Sequence, residues 1–78
     1  MDFKTKYLLA KKNGKAERFR GSEISRRISK VYPLSDQIAL LMDKDEKPTE
    51  WEAYQEFRAK VKADVDKEII KITEEQKW

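Results

Sequence analysis

From Thr49 onward, apolar and aromatic side chains recur at Trp51, Tyr54, Phe57, Val61, Val65, Ile69 and Ile72, always three or four residues apart. That spacing draws one stripe along a helix and fits strand alternation badly. Thr49-Glu50-Trp51-Glu52 reads as a capping box, which sets the expected start. At about 1.5 Å per residue, a helix from Thr49 to Glu75 runs about 40 Å. A compact chain of this size has a radius of gyration near 11–12 Å, so a diameter of about 30 Å. The geometry therefore predicts that part of the stripe finds a partner outside the chain, folds back or frays, with Val61, Val65, Ile69 and Ile72 the expected interface. A second copy or a partner helix would complete it. Glu68 breaks a strict heptad, so bundle-like packing is expected rather than a parallel zipper.

Seventy-eight residues make one small domain with a thin stability margin. The chain has no cysteine and no histidine, which excludes disulfides, the usual zinc sites and Cys/His or Ser/His nucleophilic pairs. Carboxylates are plentiful, but they fall at caps, in a turn or on solvated helix sides. A working acid–base pair needs a pocket that drives two pKa values apart. Asp43-Lys44-Asp45 starts like a calcium loop, yet Pro48 and Tyr54 stand where Gly and Glu belong. Gly14 and Gly21 are isolated, so no phosphate-cradling loop is present. The expectation is a protein that is not an enzyme and holds no cofactor or metal. The longest apolar run, Ile38 to Met42, is too short for a membrane span or signal peptide. A chain this small without disulfide staples is expected in the cytoplasm or a virion, or stabilised by oligomerisation.

Along the chain, Asn13-Gly14 is a strong two-residue turn signal. It pairs residues 3–12 with 15–20 as a β-hairpin, with Leu8 opposite Phe19 and Tyr7 opposite Arg20. A competing reading makes residues 2–12 a helix that Gly14 caps, because Phe3, Tyr7 and Ala10 also sit at helical spacing. Ser22 is a candidate N-cap for a helix over 22–32, with Ile24, Ile28 and Val31 on one face. Tyr32 precedes Pro33 and marks the break. Ser35 would cap a helix over 35–44. The long helix over 49–75 follows, with residues 76–78 a frayed end. This makes a mostly helical α+β fold: a hairpin at 1–21, two short helices and one long one. The expected core is Leu8, Phe19, Ile24, Ile28, Val31, Leu34, Ile38, Leu41, Trp51, Tyr54, Phe57 and Val61.

Charge is segregated. Residues 1–32 hold ten Lys/Arg against three Asp/Glu, whereas residues 33–78 hold eight against twelve. Arg18, Arg20, Arg26, Arg27 and Lys30 form the candidate patch for an anionic partner, nucleic acid above all. The alternative is that these cations face the acidic later helices of the same chain. Two short helices joined at Tyr32-Pro33 mimic a helix-turn-helix. The second would present Asp36, Gln37, Asp43 and Lys44, the wrong sign for a phosphate-lined groove.

The segment from Ser22 to Val65 resembles one found in small accessory proteins of tailed phages and prophages. The matching residues are Tyr32, Leu34, Ser35, Asp36, Ile38, Ala39, Leu40, Pro48, Trp51, Tyr54 and Phe57. The resemblance covers a little over half the chain. It implies a phage accessory protein met near tail and receptor-binding genes, without enzyme activity and with no functional residues to carry over. The basic N-terminal half and the Arg26-Arg27 pair depart from the pattern. The resulting expectation is a tail- or assembly-associated protein-interaction module that self-associates through Val61, Val65, Ile69 and Ile72. The alternatives are a nucleic-acid-binding regulator and an inhibitor of a host defence protein.

Overall fold

Asp2 sits in extended conformation and its Oδ1 accepts the Thr5 amide at 2.8 Å, so a helix starts at Phe3. The computed structural model describes residues 2–75; the expected frayed end at 76–78 lies outside the described residues. Four helices make up the fold: α1 Phe3–Lys12, α2 Ala16–Val31, α3 Leu34–Asp43 and α4 Pro48–Glu75. There is no strand among the described residues. The protein is all-helical, which overturns the expected α+β class and its hairpin.

The hairpin fails at Asn13-Gly14. A type I′ turn needs positive φ at both residues, but Asn13 has φ −89° and only Gly14 is left-handed, at +72°. The Lys15 amide donates to Ala10 O at 2.7 Å and the Gly14 amide to Lys11 O at 3.1 Å. These two bonds are a Schellman C-cap, which only a glycine-like residue closes without strain. Residues 15–20 also lack the β-branched content that favours a strand. The helix instead starts at Ala16 and runs through Gly21 and Ser22, so Ser22 is an interior position and not a cap.

The remaining boundaries move little. Pro33 precedes α3, and Ser35 lies inside its first turn. Pro48 opens α4, where its missing N–H costs nothing and its fixed φ suits a helix. Thr49 therefore stands within the first turn, and Lys47 O accepts the Trp51 amide at 3.1 Å.

α2 runs antiparallel to α4. Arg20 bonds Asp66 near one end, while Tyr32 meets Tyr54 and Phe57 at centroid distances of 5.0 and 5.4 Å near the other. Between them Ile24, Ile28, Tyr54, Val61 and Val65 form the core, with Val65 fully enclosed. α1 folds back on α2 through Phe3 and Tyr7, both packed on Phe19. Its first turn lies against the last turns of α4, where Lys4 pairs with Glu75 at 2.8 Å. The molecule measures 52 × 19 × 18 Å, with a radius of gyration of 15.3 Å. The long helix does not outgrow its body. The body is a rod, and the other helices are laid along it.

Several expected core residues stay outside. Val31, Leu34, Ile38 and Leu41 are all at least half exposed, whereas Tyr7, Val65 and Ile72 are buried.

Candidate docking surface

The predicted interface residues are covered from within. Val61, Val65 and Ile72 are buried and Ile69 is half-buried, under α1 and α2 of the same chain. The premise that earlier elements are too short to reach them fails, because residues 3–31 form two helices and no hairpin. This stripe therefore offers no open surface for a second copy.

The predicted anionic-partner patch is largely engaged as well. Arg20 Nη2 donates to Asp66 Oδ2 at 3.0 Å and its Nε to Oδ1, a bidentate clamp between α2 and α4. The Arg20 hydrogen bonds hold the Asp66 carboxyl below its ordinary range. Arg26 and Arg27 both donate to Glu23, and Arg27 Nη2 reaches on to Glu68 Oε2 at 2.7 Å. Arg18 and Lys30 are exposed. Of the five cations, three thus face carboxylates of their own chain.

Glu23 is the buried carboxylate among the described residues, 8% exposed. Hydrogen bonds from Arg26, then Arg27, and the charge of both hold its pKa down to about 2 against burial. Once α2 starts at Ala16, Glu23 lies two turns in, beside Ile24. With both oxygens occupied by guanidinium groups it is an anionic anchor.

What remains open is α3. It is the most apolar of the four helices, yet none of its residues is buried. Leu34, Ile38 and Leu41 recur at helical spacing and expose 67, 50 and 54% of their surface; Met42 beside them exposes 78%. Val31, at the end of α2, is 58% exposed as well. α3 is held from its other side. Gln37 donates to Tyr32 O at 2.7 Å and accepts from Tyr54 Oη at 2.7 Å, and Leu40 is half-buried on the core.

Charges flank α3 unevenly. Asp36, Asp43, Glu50 and Lys47 line a groove along one edge of α3. On the other edge a second groove contains Ile38, Leu41, Trp51, Tyr54 and Arg58. There Lys44 lies over the Trp51 ring at 5.8 Å and Arg58 over Tyr54 at 5.7 Å.

A separate groove of about 320 Å³ lies between α1 and α2. Its floor is Leu9, Ala10 and Phe19, and its rim is Lys6, Lys15 and Arg18. Sequence reasoning missed both surfaces. Leu34, Ile38 and Leu41 looked like core, because helical spacing marks an apolar face without saying what lies against it. The groove depends on α1 being a helix.

Among the described residues no helix is long and apolar enough to cross a membrane. No family model, curated protein or solved structure matches the chain.

Proposed function

We propose that the protein is a non-enzymatic interaction module that self-associates, with α3 and not α4 as its contact surface. The carrying observation is the bare ridge of Leu34, Ile38, Leu41 and Met42 on an otherwise highly charged molecule. Together with Val31 these side chains expose on the order of 400 Å² of apolar surface, the size of the largest patch on a typical monomer, which is often a functional one. Interfaces are about 57% apolar, so a ridge of this extent corresponds to roughly 700 Å² per partner. That falls within the standard range for a specific protein pair. A role as a phage or prophage accessory protein is supported by the segment resemblance alone. Its aromatic residues Tyr32, Trp51, Tyr54 and Phe57 are those that pack around the core where α3 meets α4.

Sedimentation equilibrium over about a hundredfold range of protein concentration tests this reading. The wild-type mass should rise well above the 9.3 kDa monomer. Ile38→Asp with Leu41→Asp should hold the chain at monomer mass with unchanged helical circular dichroism. A wild type that stays at monomer mass throughout defeats the proposal.

A further inference from the structure

α1 and α2 meet without filling the space on one side of their contact. Lys6, Leu9, Ala10 and Asn13 share one face of α1 over about two turns, at the spacing of a helical ridge. Lys15, Arg18 and Phe19 stand opposite them at the start of α2. The groove between the two rows is about 10 Å long. Its floor is apolar, with Leu9 48% exposed and Ala10 and Phe19 half-buried.

Its charge is of one sign. Lys6, Lys15 and Arg18 enter none of the ion pairs among the described residues, and no described carboxylate lines the groove. Glu17, between two of these cations in sequence, lines a cleft on the other side of α2 with Arg20 and Asp66. Three cations are thus left over around an apolar floor.

This combination selects the partner's chemistry. Nucleic-acid phosphates would pair with the cations and leave the floor uncovered. A membrane surface takes up a protruding apolar face, whereas this floor is sunk between two helices. An amphipathic helix seats side chains three and four residues apart in such a groove, and acids beside them reach the rim. The described residues offer no such helix from a second copy. On α3, Asp36 and Asp43 line the groove on one side, and Ile38 and Leu41 the groove on the other. On α4 the apolar stripe at Val61, Val65 and Ile72 is already covered.

We infer that the α1–α2 groove is a docking site for an acidic amphipathic helix of another protein. Its apolar side chains seat over Leu9 and Phe19, and its flanking carboxylates meet Lys6 on one bank and Lys15 and Arg18 on the other. Opposite charge steers the encounter, while the apolar floor holds the contact. The site is separate from the α3 ridge. Arg20, next to Phe19, is anchored at Asp66, and Gln37 of α3 at Tyr54, twelve helical residues or about 18 Å away along α4. Docking here does not depend on self-association.

Two synthetic peptides of identical composition and about four turns test the site. In one, Leu recurs every three or four residues with Glu on both sides of the stripe; in the other the same residues are shuffled so that no stripe forms. Added to isotope-labelled wild type, the striped peptide should shift the amide resonances of residues 6–19 and leave those of α3 in place. It should bind about tenfold more tightly than the shuffled one, or better. Lys15→Glu with Arg18→Glu, and separately Leu9→Gln, should each weaken it by about the same factor, while Ile38→Asp with Leu41→Asp leaves it unchanged. All five positions are exposed, and circular dichroism confirms that each variant folds. Should Leu9→Gln unfold, the shuffled peptide still reports on the floor. Raising salt from about 0.05 to 0.5 M shortens the screening length about threefold and should weaken binding. Equal affinity for the two peptides, shifts confined to α3, or no binding at about 1 mM overturns the proposal. So does a short DNA duplex, or a phosphatidylglycerol vesicle, that binds wild type more tightly than the striped peptide and loses it in the same variants. Self-association through α3 stands or falls separately, by its own sedimentation test.

Discussion

α2 and α3 invert the usual relation between composition and burial. α2 is the most polar helix and supplies Glu23, Ile24 and Ile28 to the buried set; α3 is the most apolar and supplies none. Position along α4 explains the inversion. α2 lies antiparallel over the middle of α4, so even its two well-placed isoleucines suffice to close over Val61 and Val65. Its many charges find partners at the edges of that seam. α3 reaches only the first turns of α4, where Tyr54 is already packed against both Trp51 and Tyr32. A helix can thus be core by contact geometry and polar by count.

Substitutions at matched positions sharpen this contrast. Val65→Asp should have the largest effect: a charge placed in the fully enclosed site costs about 4–5 kcal/mol or more and should abolish the helical circular dichroism signal. Retained helicity would mean that the α2–α4 seam is not the core. Next comes acid. Glu23 titrates near 2 in the folded chain against an ordinary value of 4.5. Its contribution is therefore complete above pH 4.5 and is lost as pH falls through 2, in total roughly 2–3 kcal/mol. Urea titrations at pH 5 and pH 2 should differ by that amount or more, since Asp66 and Glu75 are lowered too. Glu23→Gln should remove its share of the difference.

Tyr54→Phe deletes the hydroxyl that Gln37 accepts from, and should cost about 1 kcal/mol in the same titration. Amide exchange should then speed up in α3 well before α2. Equal acceleration in both would show that α3 is not separately held. Smallest of all, Ile38→Asp should move monomer stability by no more than about 0.5 kcal/mol, because it removes an already exposed side chain. A loss near that of Val65→Asp would make α3 part of the core after all.

Much of the helical framework was legible in the residues. The stripe from Trp51 to Ile72 and Pro48 delimit α4, and Ile24, Ile28 and Pro33 identify the second half of α2 and its end. Asn13-Gly14 was ambiguous for a physical reason: a type I′ turn and a Schellman cap both need a left-handed glycine. Only the backbone of Asn13 separates them. That one choice decided whether residues 3–20 were thin strands or two helices long enough to cover Val65 and Ile72. The interface expectation for Val61 to Ile72 inherited the same error, together with the assumption of a near-spherical body. Glu23 illustrates a different limit. Neighbouring Arg26 and Arg27 stand three and four residues on, the spacing of helical ion pairs, yet that spacing does not say that the carboxylate between them is buried.

The double bond made by Gln37 carries a last consequence. Since one amide links the end of α2 to α4 through α3, the pose of this short helix depends on a polar bolt on its inner side. The outward residues do little to set that pose. They can be exchanged for others as different as asparagine or tryptophan while the frame beneath keeps its shape. Surface chemistry and folding are then separable traits in this chain, open to change one at a time.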